Sequence, residues 1–224
     1  MINNIKVNGF KSLQNFNLDL TPGLNILVGP NGSGKSNIIF YFEFLSQISS
    51  KSLNSVITNF GGIRNIFSKI SDDKYSREVN STIYGLLQLS DESKLNYEYS
   101  FTIFCNDDYD NIIFKYQSLN IDRHLIINNE NKSESISILF QDTLNEDDNI
   151  INVSHSKSDD NIESIFNDFF ISEFKSDSLL KILDFSQNSF LSRLFIIADK
   201  IATSLLSDFV GGTTFNIIPS LVSK

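Results

Sequence analysis

Tryptophan is absent from the 224-residue chain, cysteine and methionine occur once each, histidine twice and proline three times. A single cysteine, Cys105, excludes a disulfide within the chain. It follows an apolar run and reads as a buried structural thiol, in keeping with a reducing compartment. His124 and His155 lie in polar surroundings with no second ligand at metal-binding spacing, which makes them surface or loop histidines by expectation. The cluster Asp107-Asp108 and Asp110 lacks the spacing and closing Glu of a calcium loop. Positive charge is scarce: 18 Lys and Arg stand against 27 Asp and Glu, a formal net charge of -9. A basic nucleic-acid footprint is therefore missing from the chain as a whole, which leaves room only for a local patch. No apolar run is long enough to cross a bilayer, and Met1-Ile2-Asn3-Asn4 lacks the layout of a signal peptide. The expectation is a soluble, cytoplasmic protein with no membrane partner.

What the chain does have is a hydrophobic share of 41% and a charged share of 20%, enough for a packed core. Ile2 to Val7 alternates as a half-buried strand, Phe10-Lys11-Ser12 turns the chain, and Phe16, Leu18 and Leu20 alternate again. Thr21-Pro22-Gly23 is a further turn. Leu24 to Val28 is short and nearly continuous in apolar residues, the pattern of a strand covered on both faces. A helix is expected after Ser36. Its residues Ile38 to Phe42, Phe44, Leu45 and Ile48 are apolar almost all round, so it should be buried. Residues 51 to 77 read as connector, with a turn at Phe60-Gly61-Gly62 and a short helix over Ile63 to Phe67. Strands follow at Thr82 to Leu89, Tyr97 to Cys105, Ile112 to Asn120, Leu125 to Ile127 and Ser135 to Phe140, as an antiparallel meander. These first 140 residues read as one lobe. Residues 141 to 161 read as a polar loop or boundary. From 162 to 224 the period is helical, with Leu191, Leu194, Ala198, Ile201 and Leu205 on one stripe. Gly211-Gly212 would stop that helix, and a strand is expected over Thr213 to Ile218.

Between the apolar run and the first helix stands Gly29-Pro30-Asn31-Gly32-Ser33-Gly34-Lys35-Ser36, the pattern G-x-x-x-x-G-K-[S/T]. The spacing suits an anion. Backbone N–H groups of Asn31 to Ser36 converge on one point, and the helix N-terminus adds partial positive charge. Gly32 and Gly34 let the backbone approach without a Cβ in the way. Lys35 would supply a compact cation to the β- and γ-phosphates, and the Ser36 hydroxyl would be a ligand of Mg²⁺. ATP with Mg²⁺ is the expected cofactor pair. Asn131-Lys132-Ser133-Glu134 falls one residue short of a guanine-reading Asn-Lys-x-Asp, which speaks against a GTPase.

Phe10-Lys11-Ser12, then Gly23-Leu24-Asn25 to Val28, then Gly29 to Asn37 together resemble the N-terminal half of an SMC/RecF-type ATPase head. More narrowly, they are similar to RecF-like and OLD-like AAA-family ATPases of bacterial repair and anti-phage systems. The resemblance is strong over residues 1 to about 48 and extends to about 105. It implies an α/β P-loop fold of the ABC-ATPase type with an antiparallel β lobe and a helical segment. It also implies that Lys11, Ser12 and Asn37 lie near the nucleotide. Partners implied are a second ATPase head, DNA and a nuclease partner. The family's hydrolytic parts are a signature loop, a strand ending in Asp-Glu and a switch histidine, and none is identifiable. Leu194 to Asp199 has the apolar-run-then-Asp form, but Lys200 follows where Glu is needed. Gly61-Gly62-Ile63-Arg64 occupies the place of the expected glutamine without containing one. No catalytic residue is assigned, and the chain is expected to be the N-terminal part of a longer protein that binds nucleotide but hydrolyses it feebly. Alternatives are a non-catalytic ATP-sensing or assembly subunit and the ATPase of an ABC transporter.

Overall fold

The computed structural model describes residues 1–72, 74–88, 94–106, 108, 111–127, 129–142, 149–160, 162–165, 184–192 and 200–210. Its frame is a seven-stranded antiparallel sheet. In chain order the strands are β1 (Ile2–Asn8), β2 (Phe16–Asp19), β5 (Glu78–Gln88), β6 (Lys94–Cys105), β7 (Ile112–Ile127), β8 (Glu130–Gln141) and β9 (Ile150–Lys157). They lie in the order β2-β1-β5-β6-β7-β8-β9. A separate two-stranded hairpin is formed by β3 (Lys69–Ser71) and β4 (Lys74–Tyr75). Among the described residues the helices are α1 (Lys35–Ile48), α2 (Leu53–Asn59), a 3-10 turn at Ile63–Asn65, and α3 (Lys200–Val210).

Alternation along the strands decides which face is covered. Val79, Ile83 and Leu87 of β5, Leu95 to Cys105 at every second position of β6, and Ile136, Ile138 and Phe140 of β8 are buried. The helices pack on that face. Phe10, Phe44 and Phe60 stack in series with Tyr41 at ring separations of 5.3 to 5.9 Å, joining the turn after β1 to α1 and α2. The Tyr41 hydroxyl is buried against Ser81 of β5. Leu205, Leu206 and Phe209 of α3 are buried, and Phe209 lies against Tyr97 and Tyr99.

Among the polar residues on the apolar phase of their strands, Gln117 and Glu134 carry the most bonds. Gln117 of β7 is fully buried. Its Nε2 donates to Phe185 O and Asn188 O at 2.8 and 2.9 Å, and its Oε1 accepts from Phe190 N and the Tyr99 hydroxyl. All four bonds of the amide are thus used to staple the segment 184–190 to the sheet. Glu134 of β8 has a side chain with no exposure. It accepts from Ser164 Oγ and from Ile165 N at 3.2 Å, and lies 3.6 Å from Arg123 Nη1 and 2.9 Å from His155 Nε2. A buried carboxylate with this many donors fixes the segment 162–165 against β8 and β9.

Several expectations need correction. Leu24 to Val28 is not a covered strand: Leu24 is 81%, Ile26 70% and Val28 89% exposed, and none of the five joins a sheet. A two-sided strand needs parallel neighbours, whereas every strand pair among the described residues is antiparallel. For the same reason α1 is buried on one face only. Ile38, Tyr41, Phe44, Leu45 and Ile48 point at the sheet, and Phe40 is exposed. The stretch read as a polar loop, 141–161, contains β9, whose alternating pattern satisfies its pairing with β8 despite a polar composition. Leu125 to Ile127 continues β7, and the connector 51–77 contains α2. His155 is no loop histidine but a strand residue on Glu134. His124 is an exposed residue of β7, and Cys105 is buried as expected. The stripe positions Leu194 and Ala198, the Leu194–Asp199 run, Gly211-Gly212 and Thr213 to Ile218 lie outside the described residues.

Candidate phosphate-loop site

The site lies where β1 hands over to a tight turn and α1 begins. Gly34 takes the N-cap position at φ 92° and Gly32 stands at φ 82°, both in the left-handed region that a side chain disfavours. They curl the chain so that α1 starts at Lys35. The N–H of Ser33 bonds to Pro30 O at 3.3 Å, and those of Asn37 and Ile38 bond to Gly34 O at 2.9 and 3.1 Å. Among the described residues, the N–H groups of Gly32, Gly34, Lys35 and Ser36 have no backbone acceptor. A helix N-terminus with orphan donors and no acidic residue in its first turn favours an anion.

Lys35 closes across the loop. Its ammonium donates to Gly29 O at 2.6 Å and Pro30 O at 2.7 Å, with Ser33 Oγ at 3.4 Å. The three donors of the group are therefore held by the loop itself, which keeps the cation against Gly29, Pro30 and Ser33. Ser36 is exposed on the first turn of α1, and its hydroxyl makes no hydrogen bond among the described residues. An anion with a hard cation suits this donor set: N–H groups and an ammonium for phosphate oxygens, and a hydroxyl oxygen for Mg²⁺. Nothing lies within 4 Å of a Cβ built on Gly32, so the approach to that part of the loop is open.

The structure brings the turn Gly9–Leu13 against the loop. Ser12 Oγ accepts from Asn37 Nδ2 at 2.6 Å, and a Cβ on Gly34 would stand 3.2 Å from the same oxygen. Lys11 sits in the left-handed region at φ 47°, with its ammonium 4.0 Å from the centroid of the Phe40 ring. Partial burial lowers the Lys11 ammonium below the ordinary lysine value, and the charge of Glu43 partly opposes that shift. Ser12 thus adjoins the loop at Gly34 and Asn37, while Lys11 lies against Phe40 of α1. Arg64, in the place of the expected glutamine, is exposed next to Ile66, whose carbonyl receives Lys11 N at 2.8 Å. Asn131 to Glu134 lies inside β8 with Glu134 buried, so that tetrapeptide has no access to a base. Two hollows of about 490 and 350 Å³ lie on the open face of the sheet, and no residue of the loop lines either.

A match to the AAA domain family runs over residues 4–210, nearly the whole chain and all of the site just described. The chain belongs to the AAA domain family. Among its relatives is the DNA replication and repair protein RecF of Corynebacterium jeikeium, 37% identical over 54 residues, covering 24% of this chain and 13% of that protein. The chromosome partition protein Smc of Methanocaldococcus jannaschii is 34% identical over 94 residues, 38% of this chain and 8% of that protein. RecF of Haemophilus ducreyi is 33% identical over 85 residues, 35% of this chain and 22% of that protein. The chain therefore spans less than a quarter of the length of each of these relatives. Within the family it is an SMC/RecF-like head of α/β, P-loop type, with a large antiparallel sheet and few helices. No helix of the head, among the described residues, is long and apolar enough to cross a membrane.

Proposed function

We propose that the head binds ATP with Mg²⁺ in the loop Gly29–Ser36. The observation behind this reading is the meeting of orphan N–H groups of the α1 N-terminus with the Lys35 ammonium folded over Gly29 and Pro30. Gly29 to Ser36 would hold the phosphates, Lys35 would neutralise the outer ones, and Ser36 would ligate Mg²⁺. When bound, the nucleotide supplies a terminal phosphoryl group whose presence or loss can bias a conformational equilibrium. The residues Lys11, Ser12 and Asn37 flank that position.

The wider role follows from kinship with RecF and Smc. Two heads pair in the presence of ATP, and the pair acts on DNA in repair or gates a nuclease in anti-phage defence, in the cytoplasm. A non-catalytic ATP-sensing subunit is the alternative. Multi-angle light scattering of the purified chain with Mg-ATP, Mg-GTP and neither is the test. ATP-selective doubling of mass supports the reading. A mass that ignores nucleotide while ATP is demonstrably bound contradicts the pairing step.

A further inference from the structure

The turn Gly9–Leu13 touches three otherwise separate parts of the head. Ser12 Oγ accepts from Asn37 Nδ2 at 2.6 Å and abuts Gly34, so it grips the first turn of α1 at two places. Lys11 N donates to Ile66 O at 2.8 Å, at the end of the 3-10 turn. Gly9 O accepts from Ser68 N at 2.8 Å and from Ser76 Oγ at 3.3 Å, at the two ends of the β3–β4 hairpin. Phe10 forms bridges with both Leu13 and Phe67 and packs its ring on Tyr41 and Phe44.

The turn is also stiff. Gly9 stands at φ 87° and Lys11 at φ 47°, and a Cβ on Gly9 would lie 2.2 Å from Glu78 O. Left-handed backbone held by packing has few neighbouring conformations to relax into. A displacement of Gly34 to Asn37 therefore moves the turn as a unit. Its far side carries the arm 61–76, whose Arg64, Lys69, Ile70 and Lys74 are exposed.

We propose that Ser12 is a positioning residue for the phosphate loop, and that through it the turn Gly9–Leu13 couples the loop to the arm 61–76. This inference rests on the nucleotide reading given above. Ser12 acts by holding Asn37 and the start of α1 in register, and the same contact carries the state of the loop to Ile66 and the hairpin.

The test is a double-mutant cycle on Ser12→Ala and Asn37→Ala, with Ser12→Thr as the conservative variant. Mg-ATP affinity is read by calorimetry, and amide hydrogen exchange over 61–76 is read with and without saturating Mg-ATP. Loss of the shared hydrogen bond weakens affinity about 3- to 10-fold in each single variant. The double variant is no weaker than the weaker single one, and Ser12→Thr restores wild-type affinity. Mg-ATP slows exchange over 61–76 in the wild type and in Ser12→Thr, but not in Ser12→Ala. Multiplicative losses in the double variant would overturn the proposal, because they mean two independent contacts to the ligand. So would an unchanged exchange response of 61–76 in Ser12→Ala. Failure of the wild type to bind Mg-ATP is a different result: it removes the nucleotide reading itself, and this inference with it.

Discussion

Replacing Gly9 with alanine adds one methyl group at the point where the fold and the candidate site meet. Gly9 occupies φ 87°, and the new Cβ would lie 2.2 Å from Glu78 O, a backbone atom that cannot swing aside. Left-handed backbone costs an L-residue about 1–2 kcal/mol. Opening the contact to 3 Å or more pulls β1 from β5 locally and strains the bonds Ser68 N to Gly9 O and Gly9 N to Leu13 O. Each of those contributes roughly 0.5–1.5 kcal/mol. The total is a loss of about 2–5 kcal/mol, a large part of the stability of an ordinary domain. For a chain of this size that corresponds to a fall in melting temperature of roughly 4–20 °C. Urea unfolding followed by far-UV circular dichroism measures it directly. A loss under about 1 kcal/mol would refute the reasoning, since it would mean that the turn is free to yield.

Three further outcomes follow from the core. Gln117→Leu keeps the volume but strands Phe185 O, Asn188 O, Phe190 N and the Tyr99 hydroxyl, so unfolding free energy should drop by at least about 3 kcal/mol; a neutral result in urea melts would contradict the staple. Glu134→Ala leaves the nearby Arg123 guanidinium in a mostly buried site without its carboxylate and should cost about 3–5 kcal/mol, whereas His155→Ala, at a more exposed position, should cost clearly less; equal losses would show that the carboxylate is not the organising group. Burial raises the hydroxyl pKa of Tyr41, Tyr97 and Tyr99 above the ordinary value of 10.0, and Asp208 adds to the rise at Tyr97. Groups raised in the folded state stabilise it fully below the unfolded value, so stability should hold to about pH 9 and fall as pH climbs past 10. Absorbance titration near 295 nm should show Tyr41, Tyr97 and Tyr99 ionising only with unfolding, and their ionisation in the folded protein near pH 10 would contradict that burial.

Much of the fold was legible because alternation in a sheet with one covered face is a strong signal. β5, β6, β7 and β8 all fall where apolar residues recur at every second position. β9 was hidden by its composition: Asn152, Ser154 and Ser156 mask the phase set by Ile151 and Val153. Gln117 and Glu134 sit on the apolar phase of their strands, and that mismatch was the available clue to buried polar staples. Leu24 to Val28 misled for a physical reason. Its pattern specifies a strand with parallel neighbours, and among the described residues none is parallel to it. The turn into α1 at Gly32 and Gly34 was readable, because G-x-x-x-x-G-K-S needs left-handed backbone there. The grip of Ser12 on Asn37 was not, since a hydrogen bond between residues 25 apart leaves no trace in spacing.

Whether the loop Gly29–Ser36 binds nucleotide is decided by calorimetric titration of Mg-ATP into the wild-type chain and into Lys35→Ala. Lys35 donates to two carbonyls within the loop, and its removal takes away the site's cation while leaving the α1 helix in place. Loss of one charge-assisted contact of about 1.5–3 kcal/mol weakens binding roughly 10- to 150-fold. The expected result is saturable binding near one nucleotide per chain in the wild type and a loss of that size in the variant. Equal affinity in the two proteins, or no binding by the wild type, would contradict it.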